Sequence, residues 1–295
     1  MASYWRQRVG SDLPGSVRRA AIATGVVERR SDSSIVTEAA LEHLPATVQR
    51  YLQFMQVVGR RRDHSFAGSF VGRFRRRPDQ RWMPFEAWQY SSSDPIMRIF
   101  HMRLTTPYVV PLVAQDSYVT GRGAMHGSLG GILTVANGAG PAFDAGELVT
   151  YLDDAILVAP GLLLGRAQWS SRSPDAFDVA LTDHGLTVRA TVVVDRRGAP
   201  LDFATSDRSL ALAGGPVRTR WSTPVSGWSE VGGRPFTSGA SAIWDLPDGP
   251  FVYVEGRFEP SSMRFDVDPL TWTGTARGGV ARADEPAGSD SGSRR

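Results

Sequence analysis

The sequence predicts a mainly β protein: a curved antiparallel sheet, a half-barrel or open barrel, covered by two or so helices around an apolar cavity. Three observations carry this. After the first sixty residues, apolar side chains recur with a period of two in short runs separated by glycine-containing turns. Only two stretches carry helical spacing, and they do not alternate with the strands as crossover helices would. Several strand-like runs are apolar on both faces. In 81–90, Trp82, Pro84, Trp88 and Tyr90 share one face, and Met83, Phe85 and Ala87 share the other. A sheet with one solvated face would alternate apolar with polar, so one side is packed and the other covered by a helix or lining a cavity.

The first helix lies in LEHLPATVQRYLQFMQVVG, where Leu44, Val48, Tyr51, Leu52 and Met55 fall on one face. Pro45 suits the first turn and Gly59 the stop. SFAGSFVGRF, RWMPFEAWQY, IMRIFHMRL and QDSYVTGRGAM follow as strand segments. A second helical region is expected from Ala145 to about Leu164. AFDVALTD, LTVRATVVVD, PLDFATSDRSLAL, VRTRWSTPVSGWSEV, TSGASAIWDL and FVYVEGRFEPSSMRF then read as strands. His184-Gly185, Arg197-Gly198, Gly214-Gly215 and Gly232-Gly233 supply hairpin turns. The expected organisation is a loosely ordered extension over 1–34 with one short helix near Val17 to Val27, a single domain over 35–271, and a disordered, Gly-rich tail over 272–295.

Composition excludes several functions. With 295 residues, 41% of them hydrophobic, a large core can form. The net charge of +3 is too small to imply a nucleic-acid partner, and every one of the 33 basic Lys/Arg positions is Arg. There is no Cys, hence no disulfide, thiol nucleophile or thiolate metal site. The opening MASYWRQRVGSDLPG has no apolar secretory core. The longest apolar run, Ala155 to Leu164, is about half of what a membrane-spanning helix needs. A cytoplasmic protein without a membrane span is expected, its oligomeric state left open.

Motifs for common chemistries fail on spacing. In Gly121-Arg122-Gly123-Ala124-Met125-His126-Gly127 the third glycine is one residue late for a dinucleotide fingerprint, so a glycine-rich turn is the reading. Without Lys there is no phosphate-binding loop of the GK[ST] type, and no G-x-S-x-G elbow is present. The five histidines form no H-x-H or H-x-x-x-H pair, so no metal site and no cofactor are expected.

What remains is a set of polar and aromatic candidates. Glu147, Asp153 and Asp154 cluster around Tyr151. Asp154 and Tyr151 are the candidates to face a cavity, where burial would raise a carboxyl into a general acid or base; Glu147 and Asp153 are expected in solvent. Asp116 and Tyr118 stand two apart on one strand and point the same way. Arg98-x-x-His101-x-Arg103 is either an anion-friendly spot or a solvated strand face. Arg60–Arg62 and Arg73, Arg75–Arg77 protect an edge or attract anions. The cavity walls are expected from Trp82, Trp88, Tyr90, Met97, His101, Trp221, Trp244 and Tyr253.

LPATVQRYL (44–52), RWMPFEAWQY (81–90), DSYVTGRGAM (116–125), GELVTYLDDA (146–155) and GWSEVGGRPFTSGASAIWDLPDGPFVY (227–253) occur in an order and spacing that resemble a bacterial family of unknown function, of the DUF6544 or DUF6920 type, from roughly Leu44 to Phe258. Many members look membrane-anchored, whereas this N-terminus is polar and Arg-rich. Members typically read Arg-Tyr-Leu-Ala-Glu where this chain has Thr150-Tyr151-Leu152-Asp153-Asp154; the acid is kept at Asp154 and the Arg is lost, which puts any Arg–carboxylate pair of the family in doubt. By pattern the family is similar to lipoprotein-carrier half-barrels, which implies a curved sheet closing over helices around a greasy cavity.

These readings converge on a hydrophobic small-molecule partner. The leading expectation is a cofactor-free enzyme holding a polyketide- or terpenoid-like intermediate for cyclisation, cycloaddition or isomerisation, with Asp116, Tyr118, Tyr151 or Asp154 as polar handles. The alternative is a non-catalytic carrier of lipid or another hydrophobe. A sealed interior would instead mean an interaction module.

Overall fold

A computed structural model describes residues 12–25, 34–105, 111–130, 133–212 and 215–271. The helices are α1 (Leu13–Ala23), α2 (Ala46–Phe54) and α3 (Pro141–Val158). The strands before α3 are β1 (Ser65–Phe74), β2 (Met83–Ser93), β3 (Ile96–Leu104), β4 (Leu112–Val119), β5 (Arg122–Leu129) and β6 (Leu133–Ala139). Those after it are β7 (Ala167–Ser173), β8 (Ala176–Asp183), β9 (Leu186–Val194), β10 (Pro200–Thr205), β11 (Ser209–Leu212), β12 (Gly215–Arg218), β13 (Trp221–Ser222), β14 (Val225–Val231), β15 (Arg234–Leu246), β16 (Gly249–Phe258) and β17 (Arg264–Phe265).

Fifteen strands form one curved, unclosed antiparallel sheet in the order β6-β5-β4-β3-β2-β1-β16-β15-β13-β10-β9-β8-β7, with β14 paired to β15 and β17 to β1. β11 and β12 form a separate ribbon. The half-barrel is thus two meanders joined where β1 pairs with β16. Its two edges, β6 and β7, are the strands that flank α3 in the chain. A helix that leaves one edge of a curved sheet and must enter the other crosses the concave face, and α3 does so, touching β3, β4, β5, β9, β10 and β15 on the way.

The main core lies between α3 and this inner face. Leu148, Leu152 and Ile156 of α3 are fully buried, as are Phe66, Phe177, Phe203 and Phe236 from the sheet. α2 closes one side of it: Tyr51 donates to the Ile156 carbonyl at 2.8 Å and its ring packs 5.1 Å from that of Phe177. Pro45 stands at the N-cap of α2 rather than in its first turn. α3 begins four residues before the expected Ala145, and a short 3-10 turn, Pro160–Leu163, continues it.

The other face of β2 and β3 is covered by α1. Val17 and Ala21 pack with Ala67, Tyr90, Met97 and Ile99 as a second apolar cluster, with Trp88 against its margin. The short helix expected near Val17 to Val27 is this one, docked on the sheet. Residues 1–11 and 26–33 of the N-terminal extension, and the tail 272–295, lie outside the described residues.

The glycine-rich segment 121–127 is a turn followed by a strand, as its spacing indicates. Gly121 has φ +79° in the β4–β5 turn. Gly123 is where α3 meets the sheet: its N–H donates to Asp144 Oδ1 at 2.7 Å, and a Cβ there would lie 2.2 Å from the Phe143 carbonyl oxygen. Backbone cannot step aside as a flexible side chain can, so Gly123→Ala is expected to lower unfolding free energy by about 1–3 kcal/mol in urea denaturation.

Candidate ligand cavity

The inner face of β2–β4 is paired in rows, and side chains in a row point the same way. One row is Gln89, Phe100 and Asp116; the row beside it carries Ser91, Arg98 and Tyr118. From above, α3 presents Glu147, Thr150, Asp154 and Leu157, spaced by three and four residues and therefore on one stripe. These two surfaces do not meet along their whole length. They leave a cavity of ≈ 210 Å³ whose walls include Phe70, Phe74, Phe85, Phe100, Trp221 and Tyr253. Phe74, Met102, Tyr253 and Val254 of its lining are half-buried.

Its polar side is organised by Arg98, which is 4% exposed. Arg98 Nε donates to Asp154 Oδ2 at 2.7 Å and Nη1 to Glu147 Oε2 at 3.0 Å. Gln89 Nε2 reaches the same Asp154 oxygen at 2.7 Å. The Arg98 guanidinium stands 4.9 Å above the Phe100 ring. Asp153 accepts from Thr223 Oγ1 at 2.6 Å. On the far wall Trp221 donates to Tyr253 Oη at 3.1 Å, and the Arg208 guanidinium lies 4.5 Å over the Trp221 ring. Two buried acceptor atoms of its lining residues, Gln89 Oε1 and Asp116 Oδ1, have no hydrogen-bond partner among the described residues.

Removal from water dominates the electrostatics. Burial, then the Asp116 carboxylate, push Glu147 up to about 7, against the pull of Arg98 and Arg208. Burial and then Asp154 hold Asp153 well above the ordinary carboxylate range. Asp116 is also raised by burial, opposed by Arg98 and Arg208. Asp116 is half-buried and lines the cavity. Burial works against the Arg98 charge, but Asp154 and Glu147 outweigh it and keep the guanidinium protonated. The four carboxyl groups do not converge as metal ligands: among the described residues no group of three His, Asp or Glu side chains is placed to hold an ion.

Of the residues singled out in the sequence, Asp116, Asp154, Trp221 and Tyr253 line this cavity. Trp244 backs it, its ring 6.4 Å from Trp221 and 6.2 Å from Tyr253. Tyr118 and Tyr151 point into the main core and are not among its lining residues. Tyr118 donates to Asp183 Oδ2 at 2.8 Å, and Tyr151 Oη is buried without a partner. Trp88, Tyr90 and Met97 lie on the opposite face with α1. His101 is there too, 2.7 Å from Ser16 Oγ, with burial and then Arg19 pulling it down to about 4. Trp82 is at the β1–β2 turn, under the guanidiniums of Arg73 and Arg75. Placing Glu147 and Asp153 in solvent needs correcting, since each is 6% exposed. Arg98 and Arg103 part company: Arg103 pairs with Glu86 on the outer face, while Arg98 becomes the buried centre. With Thr150 in place of an Arg, Asp154 is paired instead with Arg98 of β3. Gln89, Arg98, Glu147 and Arg208 were missed as site residues; the 147/150/154/157 spacing was the available signal.

Two outcomes follow. Arg98→Met strands Glu147 and Asp154 without their cation and is expected to cost about 3–5 kcal/mol of stability at pH 7.5, read by chemical denaturation. The second concerns pH. Glu147 titrates near 7 in the folded chain against an ordinary 4.5, so between those values the folded state holds more protons than the unfolded one. Unfolding free energy therefore falls as pH rises through that window. Glu147→Gln is expected to flatten the fall by on the order of 1–3 kcal/mol, measured as denaturation midpoints from pH 4 to 8.

Comparison with known proteins gives a family and distant structural likenesses. The chain is similar to a domain named for outer-membrane lipoprotein sorting from Vibrio parahaemolyticus (10% identity, 69% of this chain and 86% of that one, TM-score 0.38). It is similar to a DUF1329 family protein from Desulfovibrio piger (12%, 75% and 92%, 0.43) and to a LolA superfamily protein from Nitrosomonas europaea (12%, 77% and 96%, 0.39). No curated protein matches the sequence. Among the described residues no helix is long and apolar enough to cross a membrane. The DUF6544 family model matches residues 34–256, and the chain belongs to that family, one of unknown function.

Proposed function

We propose that this protein binds a small, largely apolar molecule between α3 and the inner face of the sheet, as a non-catalytic binding or carrier protein. The observation that carries this is the cavity itself: aromatic walls contributed by β1, β2, β3, β13 and β16, and one polar side. Ligand sites combine apolar lining with a few convergent polar groups in this way. At ≈ 210 Å³ the space is small beside the roughly 300–1,000 Å³ of drug-sized sites, so the ligand is itself small or leaves part of its length outside.

A second reading rests on the electrostatics. A carboxyl that titrates near 7 inside an apolar cavity, beside a second raised carboxyl at Asp116, has the properties of a general acid or base. That favours a cofactor-free enzyme of the cyclisation, cycloaddition or isomerisation kind, the polar side moving a proton while the walls hold a reactive conformer.

Native mass spectrometry before and after organic extraction, followed by titration with N-phenyl-1-naphthylamine, tests binding. Met102→Trp, which adds bulk at a half-buried lining position, is expected to weaken probe binding at least about tenfold, with little change in melting temperature. Trp88→Ala, beneath α1, is expected to leave binding unchanged. Probe binding untouched by Met102→Trp would overturn the assignment to this cavity. Once a ligand is known, Glu147→Gln separates the two readings, since a carrier keeps its affinity and an enzyme loses turnover.

A further inference from the structure

The polar side of the cavity has an excess of acid. Asp116, Glu147, Asp153 and Asp154 line it against Arg98 and Arg208, four carboxyl groups to two guanidiniums. A third lining arginine, Arg257, is exposed at the rim and turned to Glu259 at 3.3 Å. Of the two bases inside, Arg98 alone is ion-paired among the described residues. Arg98 is held by Glu147 and Asp154, and Arg208 is stacked over Trp221 with Trp244 at 5.8 Å. The Arg208 charge also pulls down the carboxyls of Asp116, Glu147 and Asp153.

Two acceptors are unmet among the described residues. Gln89 is fully buried and spends both its donated bonds on Asp154 and Ser91, leaving Oε1 without a donor. Asp116 Oδ1 is likewise without one. Both belong to the row Gln89–Phe100–Asp116, so they flank the Phe100 ring on the cavity floor. A buried acceptor without a donor costs free energy comparable to a lost hydrogen bond, and a ligand that supplies the donor recovers it.

We infer that the polar end of the ligand is a hydrogen-bond donor carrying positive charge: the cavity takes an alkyl or aryl ammonium, its nitrogen between Asp116 and Gln89 and its apolar body against Phe70, Phe85 and Phe100. This rests on the binding function proposed above and names its ligand class. An ammonium offers three donors and no acceptor, which suits two open acceptors. Its charge favours the ionised form of Asp116, which burial opposes, and the aromatic faces around it attract a cation. A carboxylate ligand would instead bring a fifth acid beside Asp116, Glu147 and Asp153, which burial already pushes up.

Isothermal titration of 1-octylamine, 1-octanol and octanoate at pH 7 tests this, since the three share one apolar body. The amine is expected to bind at least about tenfold tighter than the other two, the lower end of what a charge-assisted hydrogen bond supplies. Asp116→Asn is expected to cut the amine affinity about tenfold and to leave octanol within about twofold. Octanoate or octanol binding as tightly as the amine would overturn the inference while leaving the binding function in place. Failure of all three, together with the naphthylamine probe, would remove both. The ranking on the unmodified protein decides the matter even if the variant does not fold.

Discussion

The interior is arranged around the placement of one buried cation. α3 has to cross the open sheet because the chain leaves edge β6 and re-enters at edge β7, yet continuity alone does not say which face of the helix turns down. Arg98 projects from the middle of the sheet and engages Glu147 and Asp154, seven residues apart and hence on the same stripe of α3. Rotating the helix by one residue would withdraw both carboxylates and leave a guanidinium in apolar surroundings, a cost of several kcal/mol. The ion pairs thus set the rotation of α3, which in turn places the apolar Leu148–Leu152–Ile156 side on the core and Thr150 and Leu157 over the cavity. The opposite end of the helix is set by contact: Phe143 rests on backbone that only Gly123 and Gly138 leave free.

Much of the architecture was legible because strand parity is a strict rule. The two apolar faces of 81–90 announced a sheet covered on both sides, and both covers exist, α1 on the Trp88–Tyr90 side and the cavity on the Phe85–Gln89 side. Parity does not say which is which. The bulkier aromatic face was taken for the cavity wall, whereas it is the face sealed by α1. The strands that escaped notice are β6 and β7, the two edges of the sheet. An edge strand is paired on one side only and tolerates the Asn, Gly, Ser and Arg of LTVANGA and AQWSSRS, so it lacks the apolar alternation that marks a central strand.

The cavity's polar side was only half legible for a related reason. Asp116 and Asp154 could be singled out because each belonged to a local cluster. Arg98 reads as one member of a charged strand segment with Arg103, yet an odd spacing of five puts the two on opposite faces, and parity does not say which of them turns inward. Glu147 and Asp153 read as solvated because acids on a helix usually are. Their burial depends on a partner 49 residues away for Glu147 and 70 for Asp153, distances over which no periodicity speaks.

That cluster is hard to account for as a stabilising device. Replacing a buried ion-pair network with well-packed apolar residues is often neutral or stabilising, and here the network carries more acid than base, with Glu147 and Asp153 raised by burial and one acceptor each left open on Gln89 and Asp116. If its only task were to orient α3, Arg98 and one carboxylate would suffice. The carboxyl groups and the two open acceptors belong to residues that line the cavity, as does Thr223, which donates to Asp153. A polar arrangement left incomplete around a ligand-sized space has the form of a receptor whose last hydrogen bonds are supplied from outside.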